Sequence, residues 1–102
     1  MQITQQMTSL ERLSQIEQSD EHQRAKELVH RFLCKREDEC TVLVSEAYYP
    51  QEFYAIAVTE EEADGETVEV QHYLNVSLFF GEVEAESPGL VRQEMQKVVA
   101  NV

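Results

Sequence analysis

The chain has no Trp, only two Cys and only three Gly in its 102 residues, and these scarcities exclude several kinds of site. Three glycines are too few for a glycine-rich phosphate loop, and no Ser or Cys stands in the sequence context of a catalytic nucleophile. The first residues lack the basic and apolar regions of a secretion signal, so Cys34 and Cys40 indicate reduced thiols in a cytoplasmic protein. The sequence therefore predicts a protein that is not an enzyme and has no catalytic residues.

Long apolar runs are absent as well. No stretch comes near the ~18 consecutive apolar residues of a membrane-spanning helix. Apolar residues still make up 42% of the chain, so one domain spanning residues 1–102 with its own core is predicted. Residues 1–7 are polar, and we expect them to fray.

Positive charge is missing from half of the chain, because the run from Thr41 to Val91 contains no Lys or Arg. Those 51 residues hold eleven carboxylates, and the whole chain has a net charge of −12. Residues 1–40 carry eight acids and six bases, whereas residues 41–102 carry twelve acids and two bases. This distribution argues against direct binding to nucleic acid or to an anionic membrane, and it favours a basic protein partner reached by electrostatic steering.

Helical periodicity is found at both ends of the chain. A short first helix is predicted from three apolar residues at helical spacing, Leu10, Leu13 and Ile16. A second helix is predicted to begin at a capping box of Asp20 and Gln23 and to end at Lys35. Ser87 and Pro88 are typical of a helix start, and they predict a C-terminal helix. Its apolar stripe would consist of Val91, Met95, Val98, Val99 and Val102.

Strand-like sequence lies between the helices, at 41–47, 53–59 and 68–80, with Asp64 and Gly65 as a hairpin turn. In the third run one parity is predicted to face the core, namely Val68, Val70, Leu74, Val76, Leu78 and Phe80. His72 interrupts this row and is expected to be a core histidine with a hydrogen-bonded ring. At about 3.3 Å per residue the run is long for one strand, so it is predicted to be one bent strand or two strands. The parity changes after Gly81, which predicts a bulge or bend there.

These elements predict an α+β fold. It would have an N-terminal helix or helix pair, an antiparallel meander of three to four strands, and a C-terminal helix packed on one face. We expect both helices to cover the same face of the sheet, the face of the even-numbered row. The odd-numbered row would then face solvent or a partner.

The sequence contains two partial metal-site patterns and favours neither. The segment from Glu60 to Glu66 is similar to the first half of a calcium loop, but its twelfth position is Gln71 instead of Glu. His30 and Cys34 are four residues apart and Cys40 follows, yet no complete zinc ligand set is present. Cys34 is expected to be a small, buried or half-buried side chain. No metal and no cofactor are therefore predicted.

The acidic residues of the predicted sheet are the candidate partner-binding site. We expect contacts from Glu60, Glu62, Asp64, Glu66, Glu69, Glu82, Glu84 and Glu86, with Tyr73 as an aromatic anchor. Other aromatics close to the strands are candidates for the same role, namely Tyr48, Tyr49, Phe53, Tyr54 and Phe79. Packing within the sheet explains them equally well.

The leading functional hypothesis is an inhibitor that occupies the nucleic-acid-binding surface of a basic, nucleic-acid-handling protein. In size and charge alone, the chain resembles small acidic α+β inhibitors of the phage anti-restriction and anti-CRISPR kind, and also secretion chaperones. No motif carries that likeness. The alternative hypothesis is a dimeric chaperone or adaptor that holds a client segment, and a third explanation is that the acidity only keeps the protein soluble.

Overall fold

The structure is a computed structural model that describes residues 19–100. Its elements are helix α1 (Asp20–Leu33), strands β1 (Cys40–Glu46), β2 (Glu52–Ala63), β3 (Glu66–Ser77) and β4 (Glu82–Ala85), and helix α2 (Pro88–Ala100). The strands form one antiparallel sheet in the order β1-β2-β3-β4, which confirms the predicted meander and the α+β class. The predicted first helix at Leu10, Leu13 and Ile16 and the fraying of residues 1–7 lie outside the described residues.

The turns of the meander follow from residues that tolerate positive φ. Asp64 (φ 53°) and Gly65 (φ 79°) form the two-residue turn between β2 and β3, as the sequence predicts. The run at 68–80 was predicted to be one bent strand or two strands. It belongs to one strand, because β3 pairs with β2 without a break from Glu66 to Ser77, and residues 78–80 lie in the turn that follows. Gly81 (φ 65°) then helps to reverse the chain into β4, so the predicted bend is a complete turn.

The N-cap of helix α1 lies one residue before the predicted cap, Asp20. Ser19 is the N-cap, and its Oγ accepts a hydrogen bond from the His22 N–H (3.3 Å). The capping box is completed by His22 Nδ1, which accepts from the Ser19 N–H, so the predicted box of Asp20 and Gln23 is wrong. The helix ends where Cys34 adopts a left-handed conformation (φ 55°), two residues short of the expected end.

The two helices lie on opposite faces of the sheet, so the prediction that both cover one face is wrong. On one face, α1 contributes Ala25 and Val29 to a core that includes Val44, Phe53 and Val76. On the other face, α2 packs a second apolar cluster against the sheet: Val91 and Met95 with Ile56, and around them Leu43, Tyr54, Val58, Tyr73 and Val98. The physical reason is that β2 is apolar on both parities, and each apolar face requires a cover.

One hairpin extends beyond both helices and both outer strands. The pairing of β1 with β2 ends at Thr59, and β4 pairs with β3 only at residues 74–77. The remaining part of β2 and β3 is a two-stranded ribbon, residues 60–69, in which every residue is exposed. Val68 was predicted to belong to the core row but is 38% exposed, because neither α1 nor α2 covers the ribbon. We call residues 60–69 the acidic ribbon.

Candidate functional site

The register of the acidic ribbon places three carboxylates on one side. Glu60 is the direct partner of Glu69 across the two strands, and Glu62 lies two residues further along the same side. Side chains two apart on a strand are separated by about 6.6 Å, and directly opposed Cβ atoms by about 5 Å. Asp64 lies in the turn, while Glu61 and Glu66 belong to the other side of the ribbon.

The ribbon has no counter-charge of its own. Among residues 19–100, the ion pairs within 4.0 Å join Arg36 to Asp38 and Glu39, and Lys97 to Glu94. None of them involves a carboxylate of the acidic ribbon. Like charges placed directly opposite each other destabilise a strand pair. The ribbon therefore has an unfavourable charge pattern that the described part of the chain does not compensate.

Arg92 of α2 lies on the same face of the sheet but interacts with neutral groups. Its Nη2 donates to Gln71 Oε1 (3.2 Å) and to the Tyr73 hydroxyl, and its Cζ lies 5.0 Å from the centre of the Tyr73 ring. These contacts combine hydrogen bonds with a cation–π interaction. Arg92 is thus held against Tyr73 and Gln71, and within residues 19–100 the ribbon carboxylates have no basic neighbour in ion-pair range.

The predicted anchor Tyr73 is half-buried within the apolar cluster beneath α2. Its hydroxyl also donates to Gln71 Oε1, so the ring is fixed by contacts inside the chain. In this arrangement the side chain helps to hold α2 on the sheet. Its role as a partner contact remains a prediction.

The predicted residues after Gly81 form a second acidic group, away from the ribbon. Glu84 is the partner of Asn75 and Glu82 that of Ser77, on the same side of the sheet as Glu60 and Glu69. From Glu69 to Asn75 the strand advances by about 20 Å, so the two groups are not adjacent.

Glu86 follows β4 and is tied to its neighbours. Its N–H donates to the Tyr73 carbonyl oxygen (2.8 Å), and its carboxylate accepts from the Ser87 N–H (2.9 Å). The structure thus brings Glu60, Glu62, Asp64, Glu66 and Glu69 together, and separates them from Glu82, Glu84 and Glu86.

His30 and Cys40 are in contact, but their geometry does not activate the thiol. His30 Nδ1 lies 3.1 Å from the Lys35 carbonyl oxygen and 3.3 Å from Cys40 Sγ. Because a carbonyl oxygen can only accept, Nδ1 carries the proton and cannot take one from the thiol. Burial raises the pKa of Cys40, with a further contribution from Glu39. Both effects favour the neutral thiol instead of a nucleophilic thiolate.

The remaining ligand candidates are dispersed. Cys34 is exposed, which corrects the expectation of a buried or half-buried side chain. Because the backbone of Cys34 is left-handed, this residue no longer continues the helix in which His30 and Cys34 would share one face. Within residues 19–100, no group of three or more His, Cys, Asp or Glu is arranged to hold a metal ion.

The aromatic residues close to the strands divide between packing within the fold and exposure in the loops, the two roles that the sequence left open. Phe53 is buried in the core, with its ring 5.0 Å from that of His22, and Tyr54 is half-buried under α2. Four others are strongly exposed in the β1–β2 and β3–β4 loops: Tyr48, Tyr49, Phe79 and Phe80. Phe80 was predicted to lie in the core row, and it leaves that row because β3 ends at Ser77. In the sequence, the signal for these four exposed residues was that they occur as two adjacent aromatic pairs, each in a turn-forming segment.

Comparison of the chain with protein-family models, curated proteins and solved structures found no match. In the described part of the chain, neither helix has the length and apolar character needed to cross a membrane.

Proposed function

We propose that this protein is a non-enzymatic acidic inhibitor that inserts its ribbon into the basic surface of a nucleic-acid-handling protein. The observation that carries the proposal is the group of Glu60, Glu62 and Glu69 on one side of an exposed ribbon, without an ion pair among the described residues. A Lys- or Arg-rich surface would relieve the repulsion between these carboxylates and form charge-assisted hydrogen bonds with them.

The charge density of the ribbon supports a mimic of nucleic acid. Six carboxylates lie on this hairpin, at Glu60, Glu61, Glu62, Asp64, Glu66 and Glu69. The ribbon is about 16 Å long, which gives one charge per about 2.7 Å of its axis. Duplex DNA has one charge per about 1.7 Å. A single hairpin thus approaches the density of a duplex, and its narrow shape suits a groove that normally holds a nucleic-acid strand.

The test compares two variants of equal net charge. The ribbon variant carries Glu60→Gln, Glu62→Gln and Glu69→Gln, and the control carries Glu21→Gln, Glu27→Gln and Glu37→Gln on and after α1. All six positions are exposed, so both variants should fold. A pull-down from the native host with each variant, followed by mass spectrometry, identifies proteins that bind the wild type and the control but not the ribbon variant.

The purified target is then assayed for binding to its own nucleic acid. We expect the wild type to compete with the nucleic acid, and its affinity to fall as salt is raised. Equal competition by the ribbon variant, or an affinity that does not change with salt, would contradict the proposal.

Tyr73, Glu82, Glu84 and Glu86 are predicted contacts for a partner large enough to reach beyond the ribbon. Reversal of the three carboxylates (E82K, E84K, E86K) should weaken binding if the partner spans that distance. If affinity is unchanged, the ribbon alone forms the interface.

The alternative function, a dimeric chaperone or adaptor, is favoured by one observation, the exposed aromatic side chains. It predicts a stable homodimer in light scattering and client capture that is insensitive to salt. A monomer with salt-sensitive binding would favour the inhibitor.

A further inference from the structure

Four exposed aromatic residues lie together at the end of the sheet opposite the acidic ribbon. In a four-stranded meander, the β1–β2 and β3–β4 loops are at the same end, and the β2–β3 turn is at the other. The Leu78 N–H donates to the Gln51 carbonyl oxygen (2.8 Å), which joins the two loops directly. The exposed fractions of these side chains are 89% for Tyr48, 65% for Tyr49, 76% for Phe79 and 71% for Phe80. We call these four residues the aromatic end.

The rings of the aromatic end are arranged in two ordered pairs. Tyr48 and Tyr49 meet edge to face with ring centres 5.2 Å apart, and Phe79 and Phe80 do so at 4.9 Å. The backbone of the second pair is also fixed, because the Phe80 N–H donates to Ser77 Oγ (3.2 Å). Large aromatic side chains exposed in one place are typical of an interaction surface, where they act as anchors of low ordering cost.

Carboxylates surround the aromatic end. Glu52, Ser77 and Glu82 form a row across β2, β3 and β4, one step inside the loops. Glu46 lies at the end of β1, opposite Phe53. No Lys or Arg occurs between residues 41 and 91, so the strand ends and loops that form this end carry charge of one sign only. Two copies meeting at this end would bring like charges together, which disfavours self-association.

We propose that the aromatic end binds a linear segment of a partner protein that combines large apolar side chains with Arg or Lys. The apolar side chains of the segment pack on the four rings. Its cations lie over ring faces and pair with the nearby carboxylates, of which Glu52 and Glu82 are closest to the loops in register. Strand β2 advances about 36 Å from Glu52 to Ala63, so this site and the acidic ribbon are separate and both can be occupied at once.

The experiment uses a displayed library of random dodecapeptides as the probe. Selection is carried out on the full chain with Glu60→Gln, Glu62→Gln and Glu69→Gln, so that the acidic ribbon cannot capture basic peptides. Enriched peptides are then tested against the same chain with Y48S, Y49S, F79S and F80S added. A matched control adds Phe32→Ser, which removes an exposed aromatic ring on α1. Circular dichroism checks that each variant is folded.

We expect enriched peptides to contain Arg or Lys next to Leu, Ile or aromatic residues. Their affinity should fall at least tenfold when the four aromatic residues are replaced, and should stay unchanged with Phe32→Ser. In NMR spectra they should shift the amides of Tyr49, Phe79 and Gly81 but not those of Asp64 and Gly65. The proposal is overturned if nothing is enriched, if the peptides lack basic residues, or if they bind the aromatic variant equally. It is also overturned if sedimentation shows a dimer that the four substitutions dissociate.

Discussion

Glu60 and Glu69 are direct partners across β2 and β3, so two carboxylates face each other on an exposed ribbon without a cation in ion-pair range among residues 19–100. Replacing Glu69 with Lys converts this repulsive pair into an attractive one. We expect E69K to raise the free energy of unfolding by about 0.5 kcal/mol at low salt, although it should weaken binding to a basic partner. Urea unfolding at low and high salt measures the effect.

The control for that prediction is Glu69→Gln, which removes the repulsion without adding attraction and should give a smaller increase. The gain should also shrink at high salt, because exposed charges are screened. An E69K protein less stable than the wild type at low salt would show that the pair is not repulsive.

Ser45 is buried, and its hydroxyl has no hydrogen-bond partner among residues 19–100. A buried hydroxyl without a partner costs free energy that an alanine does not. We therefore expect Ser45→Ala to raise the free energy of unfolding by about 1 kcal/mol. Thermal and urea unfolding provide the measurement, and a loss of stability would mean that a partner of Ser45 exists in solution.

Thr59 is also buried, but its Oγ1 is hydrogen-bonded to His72 Nε2 (3.0 Å). Thr59→Val keeps the shape of the side chain and leaves the half-buried imidazole without this partner. We expect a loss of about 1 kcal/mol, opposite in sign to the effect at Ser45. Thr59→Ser retains the hydroxyl and serves as the control, because it should keep the signal of a hydrogen-bonded His72 in NMR spectra.

Cys34 and Cys40 should differ strongly in reactivity. Cys34 is exposed, whereas Cys40 is buried and has a pKa raised by that burial. Because the thiolate is the reactive form, we expect one fast and one slow phase with a thiol reagent at pH 8. Cys34→Ser should remove the fast phase, and urea should accelerate the slow one. Equal rates for both thiols would contradict the structure.

Tyr54 should make the fold sensitive to alkali. Its pKa is raised by burial under α2, and the negative charges of Glu94 and Glu86 add to the shift. The folded state therefore retains the phenolic proton more strongly than the unfolded state, whose pKa is about 10. The stability from this difference is complete below pH ~10 and is lost as pH rises through the folded pKa.

The matched variant for this effect is Tyr54→Phe, which has no proton to lose. Urea midpoints of the wild type and Y54F should run parallel from pH 7 to 9. Above pH 10 the wild type should lose stability faster than Y54F. Curves that stay parallel to pH 11.5 would contradict the raised pKa.

The local signals in the sequence were sufficient for most of the fold. Alternation along β3 identifies Leu74 and Val76 as core residues, and Asp64 and Gly65 can form the tight turn that the hairpin needs. Ser87 and Pro88 locate the start of α2. His72 is half-buried with a hydrogen-bonded ring, close to its expected state.

The features of the fold that the sequence did not predict depend on where the strands end relative to one another and on which face of the sheet each helix covers. The alternation of Val68 with its neighbours is the same as that of Val76, yet of these two residues only Val76 lies in the core beneath α1. The placement of the two helices on opposite faces could have been predicted from β2, in which Tyr54, Ile56 and Val58 alternate with small apolar residues, so that both faces are apolar. For the candidate site, the sequence predicted which carboxylates are present. It did not predict that they form two groups about 20 Å apart, because that separation follows from the strand registers of the fold.

The acidic ribbon contributes no buried side chain, so its length is not constrained by the core. Adding two residues to each strand would extend its reach by about 6.6 Å and would keep every carboxylate on its present side. Adding one residue to each strand would instead turn Glu60, Glu62 and Glu69 together to the opposite side of the hairpin relative to the domain. Under the proposed function, related chains that bind deeper or shallower grooves should therefore differ by insertions of even length on both strands, while the domain beneath stays the same.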